Sequence, residues 1–373
     1  MNILKIIAVL FLLFAVVLTI AIFAFFNQES FGKIPSGERL KKIEASPNYK
    51  DGVFHNRLPS VMAISNKSKI QGLYDFIFNN NAADLYPKLS LPSVKTDLKA
   101  LKKDENVLVW LGHSSLFLQV DGVKYLVDPI LFFASPTSLL NKPFAGTNIY
   151  TPEDIPDVDY LLITHDHWDH LDYKAVKKLK NKIGKVVTGL GVGEHFEYWG
   201  YDKDKIIELD WNEKVVLDEN LTLHVFPARH FSGRGLNNRD KSLWVSFMIE
   251  SKTKNIFLSG DTGYDIHFKE IAKQFPKIDF AAIENGQYDV DWSSIHLLPQ
   301  ELISAAKELN ASRFMTIHNS KYALAKHSWY APLDNVYKAS KEENLGLVTP
   351  MIGEVVYLDN KTKEFENWWR DLE

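Results

Sequence analysis

The chain has 373 residues, of which 46% are hydrophobic and 24% are charged, and its formal net charge is −4. This composition is typical of a globular chain with a large core, and it excludes wholesale disorder. The sequence has no basic stripe or arm, which argues against a dedicated nucleic-acid-binding protein. Cysteine is absent, so any metal must be held by His, Asp and Glu side chains.

A long apolar segment opens the chain. From Ile6 to Phe26 there are no charges, glycines or prolines, and Thr19 is the only polar side chain. As a helix, about 20 such residues span a hydrocarbon core, whereas the apolar region of a cleaved signal peptide covers roughly 7–15 residues. The residues after Phe26 also make a poor cleavage site. We therefore predict a single-pass membrane anchor over residues 1–28, with a cleaved signal peptide as the alternative.

The charges that flank this segment bear on its orientation. Lys5 precedes it, and four basic residues follow it: Lys33, Arg39, Lys41 and Lys42. The four basic residues after the apolar segment favour a cytoplasmic C-terminal flank, but long domains translocate largely regardless of such charges. We expect the rest of the chain to lie on the extracytoplasmic side.

Residues 29–100 are expected to form a linker and an N-terminal arm. Prolines and glycines interrupt residues 27–60, which is typical of a linker or of an extended arm lying on a domain. Residues 69–90 have the pattern of short amphipathic helices with aromatic side chains. We expect them to pack on the main core, and a membrane-facing or lipid-binding flap is the alternative.

A regular pattern of strands and helices begins at Val107 and defines a domain over residues 101–373. Strands are predicted at 107–111, 115–120, 124–127, 159–163, 185–188, 206–209, 221–226, 243–249, 255–258, 279–283, 313–317 and 353–357. Helices are predicted near 173–181, 191–199, 266–274 and 299–309. Many short strands with helices between them predict a sandwich of two sheets flanked by helices.

The strongest chemical signal is the segment THDHWDHLD at residues 164–172, which follows the strand ending at Ile163. Imidazole and carboxylate groups suit zinc, and their alternating spacing lets two metal ions share one loop. Such a cluster would be costly to bury without a metal, although a solvated His-rich loop is the alternative. His230, Asp261 and His318 each follow a further predicted strand, where a lone residue could equally be structural.

Taken together, these motifs resemble the metallo-β-lactamase superfamily, whose hallmark is H-x-H-x-D-H after a strand. Within it, the chain is most similar to N-acyl-phosphatidylethanolamine-hydrolysing phospholipase D and its bacterial relatives. The residues that carry this resemblance include Trp110–Ser114, Asp128–Ile130, Ala228–Phe231, Gly260–Tyr264 and His296–Glu301. The resemblance implies an α/β fold, an αββα sandwich that follows the single transmembrane helix.

The resemblance also implies two Zn²⁺ ions, although other divalent metals are possible. One ion would be held by His165, His167 and His230. The other would be held by Asp169, His170 and His318, with Asp261 bridging both. A hydroxide between the two ions would be the nucleophile.

Catalytic residues are implied in the same way. His296 is expected to stabilise the transition state or to protonate the leaving group. Asp128 and His113 are expected to orient the ligating imidazoles. Arg234 could bind a phosphate or could be a solvated surface residue. Four further histidines are expected to be structural: His195, His224, His267 and His327.

The function expected from this site is phosphodiester hydrolysis of a lipid-like substrate, with membrane lipids as partners. Hydrolysis of a lactone or another ester needs the same nucleophile, so the metal loop alone does not distinguish the two. A non-catalytic membrane-bound scaffold is a third interpretation, against which the intact ligand set argues. The loop at 131–149 could shape the substrate cleft, and the sequence leaves the oligomeric state open.

Overall fold

The fold is an αββα sandwich in which two mixed β-sheets pack face to face between layers of helices. It was obtained as a computed structural model that describes residues 3–60 and 84–372. Residues 69–83 of the helical pattern predicted at 69–90 therefore lie outside the described residues, and residues 84–90 contain turns and bends but no helix.

The first sheet has seven strands in the order β15-β3-β4-β5-β6-β7-β8. Its members are β3 (Val107–Gly112), β4 (Ser115–Val120), β5 (Val123–Val127), β6 (Val158–Ile163), β7 (Ile183–Gly189), β8 (Ile206–Leu209) and β15 (Val355–Tyr357). Strands β5 to β8 run parallel to one another, and the remaining pairs are antiparallel.

The second sheet has six strands in the order β14-β13-β12-β11-β10-β9. Its members are β9 (Lys214–Asp218), β10 (Leu221–Pro227), β11 (Val245–Glu250), β12 (Asn255–Leu258), β13 (Phe280–Glu284) and β14 (Phe314–Ile317). Here β12, β13 and β14 are the parallel strands.

The main core lies between the sheets, where residues such as Leu162 and Val187 meet Phe247 and Leu258. Successive strand residues point to opposite faces, so the outer faces are also apolar and need cover. The helices α3 (Tyr173–Leu179) and α4 (Gly193–Tyr198) cover the first sheet. The helices α5 (His267–Gln274), α6 (Pro299–Leu309) and α7 (Ala331–Glu342) lie against the second. The predicted sandwich is confirmed.

The N-terminal region contains more regular structure than its composition predicted. The helix α1 (Ile3–Phe26) includes a stretch, Lys5–Phe26, that is long and apolar enough to cross a membrane and is not buried by the rest of the chain. It is followed by α2 (Gly37–Glu44) and by a two-stranded sheet of β1 (Tyr49–Lys50) and β2 (Val53–Phe54). Arg39 ties this segment to the domain through ion pairs with Glu194 and Glu208.

Candidate metal centre

The loop predicted to bind metal joins β6 to α3 and is held at both ends by buried carboxylates. At its start, Asp128 accepts hydrogen bonds from the Thr164 amide (2.9 Å) and the Thr164 hydroxyl (2.6 Å). At its end, Asp172 caps α3 by accepting from the amides of Lys174 and Ala175. Asp172 also accepts from the amide of Phe132, so the same carboxylate fixes the start of the 131–149 loop. The carboxylates of Asp128 and Asp172 therefore fix the path of the metal loop at both ends.

Three residues that border the site have left-handed backbone conformations that are uncommon for non-glycine residues. These are His113 (φ 54°), Asp128 (φ 40°) and His318 (φ 67°), each at the end of a strand. Such conformations cost free energy and cluster at functional sites, where the surrounding structure enforces them. Their position here supports a site built from strand ends.

The first cluster consists of His165, His167 and His230. The His167 Nδ1 atom lies 2.9 Å from His165 Nε2 and 3.1 Å from His230 Nε2. Because His230 Nδ1 lies 3.0 Å from the Ile295 carbonyl oxygen, it donates its proton there, which leaves the Nε2 lone pair facing the cluster. Burial holds the pKa of His165 and of His230 well below the usual range, so both rings are neutral and able to coordinate a cation.

The second cluster consists of Asp169, His170 and His318. The Asp169 Oδ2 atom lies 3.3 Å from His318 Nε2 and 3.7 Å from His170 Nε2. His170 Nδ1 in turn lies 2.9 Å from Asp128 Oδ2, so Asp128 orients this imidazole as expected. His113 differs from the expectation: its Nε2 contacts Asp169 Oδ2 at 2.9 Å, so it orients a carboxylate rather than an imidazole.

Asp261 lies between the clusters. Its Oδ2 atom is 3.1 Å from both His170 Nε2 and His318 Nε2. The same oxygen is 3.9 Å from His165 Nε2 and 3.7 Å from His230 Nε2. The structure thus brings all seven predicted ligands together, and Asp261 lies between the two clusters.

The chemistry of this donor set fits divalent cations. Among the described residues, the buried atoms Asp261 Oδ1 and His167 Nε2 have no hydrogen-bond partner, although buried polar atoms normally have one. Burial alone would lower the pKa of His170, but the carboxylates of Asp261 and Asp169 outweigh it and raise the pKa to about 10. A cation would take the place of such a proton. Imidazole nitrogen and carboxylate oxygen are the ligands zinc prefers among those available here.

His296 stands beside the ligands and is held by a residue that the sequence analysis missed. Its Nδ1 lies 2.6 Å from Glu284 Oε1, and the other oxygen of Glu284 accepts from the Leu297 amide at 2.9 Å. The His296 ring stacks on His318 at 5.1 Å and meets His230 edge-on at 5.0 Å. The sequence signal for Glu284 was a carboxylate at the end of the apolar segment Phe280–Glu284, and the fold buries this side chain completely.

Arg234 contradicts both expectations, since it is neither solvated nor free to bind phosphate. It is 2% exposed, and its Nη1 donates to the carbonyls of Asp166 (2.8 Å) and Leu171 (2.7 Å). Its Nε and Nη2 donate to the Ser30 carbonyl, and its guanidinium lies 4.0 Å from the centre of the Trp168 ring. Arg234 therefore stabilises the metal loop through hydrogen bonds to its backbone carbonyls.

The remaining histidines have structural partners. His195 contacts Asp166 and the Lys33 amide, and His224 pairs with Glu250. His267 is buried and its pKa is lowered to about 3 by that burial. His327 accepts from the Gln287 amide at 2.8 Å.

Comparison with models of known protein families identifies the family of this chain. The model of the beta-lactamase superfamily domain matches residues 124–319, more than half of the 373 residues. The chain belongs to the beta-lactamase superfamily. Together with the His and Asp clusters that could hold metal, this makes it a metal-dependent hydrolase of the metallo-β-lactamase fold.

Individual members of the superfamily are similar over different lengths. An uncharacterised protein of Mycobacterium tuberculosis is 30% identical over 333 residues, covering 88% of each chain. The N-acyl-phosphatidylethanolamine-hydrolysing phospholipase D 1 of Caenorhabditis elegans is 32% identical over 237 residues, covering 59% of this chain and 65% of that protein. Among solved structures, a metallo hydrolase of Ignicoccus hospitalis has a TM-score of 0.52 at 20% identity, over 70% of this chain and 99% of that one, which shows the shared fold.

Proposed function

We propose that this chain is a membrane-anchored, dinuclear zinc phosphodiesterase that hydrolyses N-acyl-phosphatidylethanolamine-like phospholipids. The observation that carries the proposal is the position of Asp261 Oδ2, which faces imidazole nitrogens of both clusters at 3.1–3.9 Å. The substrate class is supported by the similarity to the Caenorhabditis elegans phospholipase D. The anchor would be the apolar stretch of α1, with the domain on the extracytoplasmic side.

The residues of the two clusters and their neighbours would have distinct roles in this reaction. His165, His167 and His230 would hold one ion, and Asp169, His170 and His318 the other. When bound, the two ions would acidify a water and stabilise charge developing on the phosphoryl oxygens. Asp128 keeps His170 in the orientation that directs Nε2 into the site.

His296 would act on the leaving group. Because Glu284 accepts the Nδ1 proton, the Nε2 atom is the one available to substrate. When this ring also carries a proton on Nε2, it can donate that proton to the leaving oxygen or stabilise the charge on that oxygen. The His296 ring lies against His230 and His318, one ligand from each cluster, which puts it within reach of a phosphoryl group held between them.

A substrate screen tests the proposal. Full-length protein in detergent would be given N-acyl-phosphatidylethanolamine, phosphatidylcholine and an acyl lactone, with the matched His296→Ala protein as the control. We expect release of phosphatidic acid and an N-acylethanolamine from the first substrate, and loss of this activity in His296→Ala. Hydrolysis of the lactone without hydrolysis of any phosphodiester would favour the lactonase alternative. No turnover of any substrate by fully metal-loaded protein would favour the scaffold.

A further inference from the structure

The end of the apolar helix α1 is connected to the metal loop through the ring of Phe31. After Phe26 the chain makes a single 3-10 turn (Glu29–Phe31), and the Phe31 ring lies 5.4 Å from the rings of both Phe25 and Phe26. On its other side, Phe31 meets Trp168 edge-on at 5.0 Å. Trp168 lies between two metal ligands in the sequence, so one layer of aromatic rings separates the end of α1 from the metal loop.

Hydrogen bonds fix this connection. The Trp199 indole donates to the Glu29 carbonyl (2.8 Å), Arg234 donates to the Ser30 carbonyl (3.0 Å), and the Lys33 amide donates to His195 Nδ1 (3.0 Å). Successive residues after α1 are therefore bonded to the domain, which leaves no free linker between them. If α1 crosses a bilayer, the face of the domain around Trp168 must lie at the bilayer surface.

Three large apolar side chains project into solvent from this face. Leu139 is 78% exposed, Leu140 is 60% exposed and Leu236 is 78% exposed. The residue before Leu139, Ser138, lines a cavity of about 380 Å³ together with residues 28–30. Gly235, which precedes Leu236, is so close to Phe31 that an added Cβ would lie 3.5 Å from its ring. All three leucines thus flank the end of α1.

The surroundings of these leucines match a lipid interface. Phe132 and Phe133 are half-buried, and the exposed Lys178 and Lys174 lie over their rings at 5.7 and 4.6 Å. Single exposed leucines are ordinary on protein surfaces, but aromatic rings with lysines beside a membrane helix are typical of the headgroup region. Lysines near the surface also attract anionic lipids.

We infer that the 132–142 loop and Leu236 form a second membrane contact that holds the metal loop against the bilayer, so that substrate enters directly from the lipid. The inference rests on the membrane anchor in the proposed function. It assigns the exposed part of the 131–149 loop to lipid contact. The occupant of this surface is a phospholipid bilayer.

The absence of cysteine makes a direct test possible, because a single introduced cysteine can be labelled alone. We would label Leu139→Cys, Leu140→Cys and Leu236→Cys with a small fluorophore in the full chain. Each would be reconstituted into phosphatidylcholine–phosphatidylglycerol vesicles containing a lipid with a nitroxide on its acyl chain. Val216→Cys is the matched exposed control, since Val216 is 65% exposed on β9. Leu13→Cys reports on the anchor itself.

The expected result is strong loss of fluorescence at positions 13, 139, 140 and 236, and little loss at 216. Quenching at 13 without quenching at 139, 140 or 236 would overturn the second contact while leaving the anchor standing. No quenching at 13 would overturn the anchor and this inference together. Equal quenching at 216 and 139 would also contradict it, because the contact would then have no defined face. None of these readings depends on phosphodiesterase activity.

Discussion

Asn56, in the N-terminal arm, is hydrogen-bonded to the predicted metal ligand His230, which lies 174 residues away in sequence. Its Nδ2 donates to the His230 carbonyl (2.7 Å), and its Oδ1 accepts from the His230 amide (3.1 Å) and the Trp244 indole (3.0 Å). The side-chain amide therefore satisfies both backbone groups of a residue that is 1% exposed. We predict that Asn56→Ala releases the backbone that carries the His230 imidazole.

The size of the effect follows from these bonds. Each neutral hydrogen bond contributes about 0.5–1.5 kcal/mol, so losing the two bonds to His230 should lower the free energy of unfolding by about 1–3 kcal/mol. Residues that orient a ligand typically contribute about 10–100-fold to metal affinity. We expect affinity to fall by that factor for the ion held by His165, His167 and His230, and to stay at the wild-type value for the other ion.

Metal affinity would be measured by competition with a chelator, and the free energy of unfolding by denaturant unfolding of the same proteins. The matched control is Asn48→Ala, since Asn48 lies in the same arm and its side chain donates only to Asp210 (2.9 Å) among its described hydrogen bonds. It should lower stability slightly without changing metal affinity. If Asn56→Ala is destabilised but binds both ions as tightly as wild type, the arm does not position His230 and the reasoning is refuted.

Three further predictions follow from the buried polar groups. His318→Ala should lose or weaken one metal ion, whereas His296→Ala should keep both and lose on the order of 10²–10⁴-fold in turnover, as measured by metal analysis beside kinetics. Glu284→Gln should also keep both ions and lose roughly 10–100-fold in turnover, because the tautomer of His296 is no longer fixed; unchanged turnover would dismiss this role. Burial lowers the pKa of Lys321 from its ordinary 10.5 to about 7, so between these pH values the unfolded chain binds a proton that the folded chain lacks. The free energy of unfolding of the wild type should therefore rise between these pH values relative to that of Lys321→Met. Parallel curves of unfolding free energy against pH for the two proteins would contradict the lowered pKa of Lys321.

The sequence predicted the parts of the site that depend on local pattern. The H-x-H-x-D-H segment could be placed because strand ends are visible as breaks in apolar runs. The predicted ligands at later strand ends were implied by the resemblance to the metallo-β-lactamase superfamily. The same runs predicted the two-sheet sandwich. Within the domain over residues 101–373, two elements were missed: β9, whose residues alternate between exposed and half-buried, and α7, whose buried residues are Pro332, Leu333, Val336 and Ser340.

The contacts that support the ligands could not be predicted in the same way. Asn56 and Arg234 act through hydrogen bonds to residues distant in sequence, and no local pattern reports such partners. Arg234 shows the difficulty most clearly. A charged residue in a polar loop was expected at the surface or on a phosphate, yet the fold buries it against backbone carbonyls.

The number of metal ions per chain tests the central claim most directly. Full-length protein, purified in detergent and never exposed to a chelator, would be analysed by elemental mass spectrometry beside His167→Ala and His318→Ala. Because the two variants each remove a ligand from a different cluster, we predict about two zinc ions in the wild type and about one in each variant. A wild type with about one ion or none, or variants that both retain two, would contradict a dinuclear centre bridged by Asp261.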